Sequence, residues 1–124
     1  MAKILIADDS RFQVQMLSTW LKEQGFEVLT AADALQAWMS ALRLVPDAIV
    51  LDINLPAGSG VQVLKRLRSS GKTQNIAVVV VSRNEDGDVR TVVEQLGAAA
   101  FLQKPVEEEE LCSIINGVLA KPGP

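Results

Sequence analysis

Residues 76–104 read IAVVVVSRNEDGDVRTVVEQLGAAAFLQK. An uninterrupted apolar, β-branched run, Ile76 to Val81, ends in the polar trio Ser82-Arg83-Asn84. Val89, Val92, Val93 and Leu96 then fall at helical spacing, Gly97 supplies a stop, and a second short apolar run, Ala99 to Leu102, ends in Lys104-Pro105. Strand, helix and strand within so short a stretch form a βαβ unit, whose strands run parallel. A strand as uniformly apolar as Ile76 to Val81 is covered on both faces, so helices lie above and below the sheet.

The same alternation extends toward both termini. Strands are expected at Lys3 to Ala7, Glu27 to Thr30 and Ala48 to Leu51. Helical stripes lie between them: Val14, Leu17 and Leu21; Ala34, Ala37, Trp38, Ala41 and Leu42; Val63, Leu64 and Leu67; and, last, Leu111, Ile114, Ile115, Val118 and Leu119. Gly25, Gly71 and Gly97 follow the first, third and fourth stripes, and Pro46 follows the second. The expected architecture is α/β, a single doubly wound (βα)5 domain over residues 1–120. Lys121-Pro122-Gly123-Pro124 reads as a helix-breaking tail or the start of a linker.

Composition narrows the function. The 124 residues are 48% apolar and carry 12 Lys+Arg against 15 Asp+Glu, a net charge of −3. That balance, with only 4% aromatics, offers no basic stripe for direct nucleic-acid binding. No apolar run approaches the roughly 20 residues that span a bilayer, and the start lacks a signal-peptide pattern, so a cytoplasmic location is expected. The complete absence of histidine removes Ser-His-Asp and Cys-His triads and histidine zinc sites. The lone Cys112, Trp20 and Trp38 sit on or beside apolar stripes and read as packing residues. Glu107 to Glu110 begin the last helix, where negative charge complements the macrodipole.

Right-handed crossovers bring all strand C-terminal ends to one sheet edge, where ligands of open α/β sheets bind. The residues arriving there are Asp8-Asp9-Ser10, Asp52-Ile53-Asn54, Ser82-Arg83-Asn84 and Lys104-Pro105. Either aspartate of the first pair alone would read as a helix N-cap. Together with Asp52 they form three carboxylates that repel one another unless a cation sits among them, and an all-oxygen set favours Mg²⁺ over zinc. Lys104 and Ser82 would then face a phosphoryl group, with Asp52 as the nucleophile of a phosphoryl transfer.

This set resembles the response regulator receiver domain, the phosphoacceptor module of two-component signalling, over essentially the whole chain. The resemblance rests on Asp8 and Asp9, Asp52 followed by Pro56 and Gly60, Ser82, and Gly97-Ala98 leading through Phe101 to Lys104-Pro105. It implies a flavodoxin-like parallel sheet of order 2-1-3-4-5, an order for which a receiver protein is itself a standard illustration. It implies Asp52 as phosphoacceptor, Mg²⁺ held by Asp9, Asp52 and the Asn54 backbone carbonyl with support from Asp8, and Lys104 as the phosphoryl-binding lysine. Ser82 and Phe101 resemble the family's switch pair, which alters the surface of the fourth helix, fifth strand and fifth helix. The implied partners are a sensor histidine kinase or histidine phosphotransfer protein and a downstream protein or output domain, with the chain a monomer or a phosphorylation-dependent dimer.

Two positions depart from the family pattern. Phe101 lacks the hydroxyl of a tyrosine, and Arg83 stands where receivers usually carry a small residue. Arg83 could obstruct a donor, pair with the phosphoryl group, or face solvent. Asn54 and Asn84 flank the site as modulators of the acyl phosphate's lifetime. The alternative reading is a receiver-like interaction module that works without phosphorylation. A haloacid dehalogenase-type phosphatase would need an acid where Asn54 stands, and Gly58-Ser59-Gly60 lacks the third glycine of a dinucleotide fingerprint because Val63 occupies it.

Overall fold

The apolar runs form five parallel strands, β1 (Lys3–Ala7), β2 (Glu27–Ala31), β3 (Ala48–Asp52), β4 (Ala77–Ser82) and β5 (Ala100–Gln103). The helices between and after them are α1 (Arg11–Glu23), α2 (Ala34–Leu44), α3 (Gly60–Ser69), α4 (Gly87–Gln95) and α5 (Glu108–Ala120). The structure, a computed structural model, describes residues 1–83 and 87–120. The sheet order is β2-β1-β3-β4-β5, as the resemblance implies. Because β2 lies on one side of β1 and β3 on the other, the order reverses between β1 and β3 and opens a crevice at their C-terminal ends.

Period-two alternation divides each strand between two cores. Leu5, Ala7, Ile49, Leu51, Val78 and Val80 face the layer of α2, α3 and α4, whereas Ile4, Ile6, Val50, Val79 and Val81 face α1 and α5. Trp38 packs on the first core, and Trp20 and the buried Cys112 on the second. Burial pushes the Cys112 thiol up in pKa, with Glu108 and Glu23 adding to the shift, so this cysteine packs as its stripe suggests. Among the described residues, no helix is long and apolar enough to cross a membrane.

Four strands, β2 to β5, run one residue beyond their expected ends. The ladder continues through Asp52 opposite Val81 and Ser82 opposite Gln103, because a polar side chain at the sheet edge leaves backbone pairing intact. Asp52 and Ser82 are therefore held on strands. Helix ends also differ in part. Gly25 and Gly97 adopt positive φ as stop signals should, but α2 ends on a left-handed Val45 (φ 43°) directly before Pro46. Gly71 is no stop: α3 ends at an extended Ser70, and the buried Thr73 hydroxyl donates to the Leu67 carbonyl at 2.7 Å. Arg68 completes that corner, donating to the carbonyls of Leu96, Gly97, Gln74 and Ile76. Glu108 to Glu110 occupy the first turn of α5, as charge complementarity requires. The expected tail, Lys121 to Pro124, lies outside the described residues.

Candidate functional site

Ser10 caps α1, its hydroxyl accepting from Gln13 N at 3.2 Å. Neither Asp8 nor Asp9 serves as the cap. Asp8 Oδ1 accepts from Ser10 N at 2.9 Å, which fixes the carboxylate at the end of β1 with its other oxygen turned to the crevice. On β3, Asp52 Oδ1 accepts from Asn54 N at 2.9 Å and leaves Oδ2 for a second partner. That partner is Lys104, whose ammonium lies 3.3 Å from Asp52 Oδ2 and 3.0 Å from Asp8 Oδ2. Lys104 arrives there because its backbone N–H donates to the Ser82 carbonyl at 2.7 Å, tying the ends of β4 and β5; the Lys104-Pro105 peptide bond that follows is cis.

Asp8 and Asp52 are almost wholly buried, 4% and 2% exposed, while Asp9 is open to solvent. One carboxylate oxygen from each of the three comes within 4.8 Å of the others. Among the described residues, the three carboxylates share one ammonium in direct contact, that of Lys104, which pairs with Asp8 and Asp52. The donor set is all oxygen, one member is accessible, and the carboxylates outnumber the ammonium they contact, which fits a hard divalent cation. A cleft of about 270 Å³ opens beside the carboxylates, with Arg11 and Gln36 on its walls.

Ser82 is buried, 4% exposed, at the end of β4, beside the Asp52 strand. Phe101 lies one strand over, opposite Val80, half-buried on the α2–α4 core with the Arg90 guanidinium 5.4 Å above its ring. Asn54 and Arg83 are both exposed, and Asn84 lies outside the described residues.

Ser10 and Gly60 stand in the sequence reading without the positioning roles that the structure gives them. An N-cap followed three residues later by glutamine opens α1 (Ser10, Gln13), α2 (Asp33, Gln36) and α3 (Ser59, Gln62), a capping-box spacing that identifies Ser10 as the cap. Gly60 is needed for close approach: a Cβ there would stand 2.6 Å from the Asp52 carbonyl oxygen and 2.7 Å from Ile53 Cα. No local pattern signals that contact.

A doubly wound sheet with a buried aspartate at its switch point, two further aspartates and a lysine defines an aspartate-centred receiver. Known proteins agree. The family model of the response regulator receiver domain matches residues 4–116, and the chain belongs to that family. It is 34% identical to protein PilH of Pseudomonas aeruginosa, covering 97% of this chain and 99% of that one. It is 36% identical to the transcriptional regulatory protein PrrA of Mycobacterium tuberculosis, covering 98% of this chain but only 51% of PrrA. Among solved structures, chemotaxis response regulator CheY4 of Vibrio cholerae superposes with a TM-score of 0.88 at 30% identity, covering 95% of this chain and 98% of that one. The receiver domain of sensor histidine kinase PA1611 from P. aeruginosa, which holds a magnesium ion in its active-site cleft, gives 0.89 at 26% identity over 97% and 98% of the two chains.

Proposed function

We propose that this chain is a phosphorylation switch in which Asp52 accepts a phosphoryl group from a phosphohistidine of a sensor kinase or phosphotransfer protein. The observation that carries this reading is the buried Asp52 carboxylate, paired with Lys104 at 3.3 Å and grouped with Asp8 and Asp9. The carboxylate oxygen attacks phosphorus, an O–P bond forms as the N–P bond breaks, and the electron pair leaves with the imidazole.

Lys104 is a charge partner that can pass from the carboxylates to a phosphoryl oxygen, and the Ser82 hydroxyl can donate to another. Asp8, Asp9 and Asp52, with the Asn54 carbonyl, would hold Mg²⁺, which supplies positive charge for the transferring group. Ser82 and Phe101 would report phosphorylation to the surface of α4, β5 and α5, where a downstream protein, an output domain or a second copy would bind. Asn54 and Asn84 would set the lifetime of the acyl phosphate. The exposure of Arg83 favours its solvent-facing reading over obstruction and so favours phosphorylation over the phosphorylation-independent module. The chain acts as a signalling domain, its only chemistry being its own phosphorylation and dephosphorylation.

Intact-mass measurement with acetyl phosphate and Mg²⁺ tests this. One phosphoryl adduct is expected on the wild type, and none on Asp52→Asn or after Mg²⁺ is chelated. An adduct that survives Asp52→Asn, or a wild type that takes none, would overturn the assignment.

A further inference from the structure

Positive charge runs without an acid through one stretch of the chain, although α4 in the same layer carries Asp88 and Glu94. Residues 53–83 contain Lys65, Arg66, Arg68, Lys72 and Arg83 with no Asp or Glu, and α2 adds Arg43, again without an acid. Next to Arg43, α2 exposes Leu35 (56%) and Met39 (59%), one helical turn apart. They line a surface cleft of about 440 Å³ with Leu42, bounded by Arg43 and Lys72. This cleft combines an apolar floor with a basic rim on a chain whose net charge is −3, and it lies apart from Asp52 and Lys104.

We infer that the α2 cleft docks an amphipathic helix of a partner protein, with apolar side chains at i and i+4 seated between Leu35 and Met39 and acidic residues flanking them to meet Arg43 and Lys72. The helix-in-groove mode needs an apolar trough with one sign of charge along its edges, and an unbranched methionine adapts to varied knobs. A symmetric second copy fits poorly, because an isologous contact would set Arg43 and Lys72 against their own equivalents. A lipid surface fits poorly too: interfacial helices insert Trp, Phe and Leu, whereas Trp38 is turned to the core. Nucleic acid would meet two aliphatic side chains where it needs stacking.

The test titrates the full-length ¹⁵N-labelled chain with two synthetic helical peptides, identical in Leu at i, i+4 and i+7 but flanked by Glu in one and Lys in the other. Saturable shifts are expected along α2 and around Lys72 with the Glu peptide alone, weakened by roughly tenfold or more in Met39→Glu and in Arg43→Glu, a loss of about 1.4 kcal/mol. Both substituted residues are exposed and outside the phosphorylation site, so an unchanged yield of acetyl-phosphate adduct certifies their fold. Absence of saturable shifts on α2, equal binding of the Lys peptide, or full affinity in both variants would overturn the inference. So would sedimentation as a dimer broken by Met39→Glu, or Met39-dependent binding to phosphatidylglycerol vesicles, if either occurs without peptide binding.

Discussion

The Lys104 ammonium meets Asp52 Oδ2 at 3.3 Å across 52 positions of sequence, with the lysine side chain 13% exposed and the aspartate 1%. The same ammonium also serves Asp8, so one cation offsets two buried anions. Removing one partner of a buried pair leaves the other charges uncompensated, which costs about 3 kcal/mol or more. Lys104→Met should therefore lower stability by about that amount in metal-free urea unfolding, with Mg²⁺ restoring part of the loss. A midpoint unchanged from wild type would show that the ammonium contributes nothing net.

Asp9 is the exposed member of the acidic triad, whereas the Lys104 ammonium pairs with the other two, Asp8 and Asp52. In metal-free buffer Asp9→Asn should raise the unfolding temperature by relieving repulsion. The same substitution should abolish the stabilisation that the proposed Mg²⁺ site predicts for wild type, about 2.7 kcal/mol at one hundred times the dissociation constant. Calorimetry with EDTA and with Mg²⁺ separates the two effects. Equal Mg²⁺ shifts in both proteins would remove Asp9 from the ion site.

Gly60 opens α3 against the backbone that carries Asp52, with its N–H donating to the Ile53 carbonyl at 3.0 Å. A methyl group 2.6 Å from the Asp52 carbonyl oxygen has only backbone to push against. Gly60→Ala should cost about 1–3 kcal/mol by overpacking. It should also slow acetyl-phosphate labelling, because the displaced atoms belong to the segment of the proposed acceptor, Asp52. Gly71→Ala, with open space around the added Cβ, is the control and should change neither.

Gln13 shows what the sequence could and could not disclose. Its spacing from Ser10 is a legible capping signal, yet the Ser10 N–H it would reach in a capping box is taken by Asp8. Among the described residues, the buried Gln13 Nε2 has no hydrogen-bond partner. Burying an unsatisfied amide costs roughly 1–3 kcal/mol, so Gln13→Met, which keeps length and removes the polar atoms, should raise stability by about 1 kcal/mol or more. Destabilisation in chemical unfolding would mean that the amide finds a partner in solution.

The strands, the stripes and the converging aspartates were legible because each depends on local period or on strand-end placement. Leu5 and Ile4 face opposite cores for the same reason that their alternation can be read. What stayed hidden depends on contacts between distant segments. Arg68 looks like a surface arginine on α3, but its donors hold the carbonyls that end α4, 28 residues away. Desolvation there lowers its pKa, a sign that it is structural. Val45 in the left-handed region is equally illegible, since a β-branched residue is the last choice for that conformation.

Arg90 and Phe101 bear on how a phosphoryl signal would leave the site. The guanidinium lies 5.4 Å from the centre of the Phe101 ring and is steadied by Glu94, one turn along α4, at 3.1 Å. With Phe101 lacking a phenolic hydroxyl, this cation–π contact is a polar hold on the proposed switch ring. At 47% exposure of Arg90 it is worth roughly 0.5–1 kcal/mol. In a two-state equilibrium that is a shift of roughly two- to fivefold in population. Arg90→Ala should therefore move the ring's equilibrium by that factor before any phosphorylation. Fluorine NMR of 4-fluorophenylalanine protein reads it directly, since the chain has only three phenylalanines and Phe101→Leu assigns the signal. Glu94→Gln should produce a smaller shift in the same direction. A Phe101 resonance identical in wild type and Arg90→Ala, but moved by phosphorylation of Asp52, would mean that the ring responds to the acceptor without any hold from Arg90.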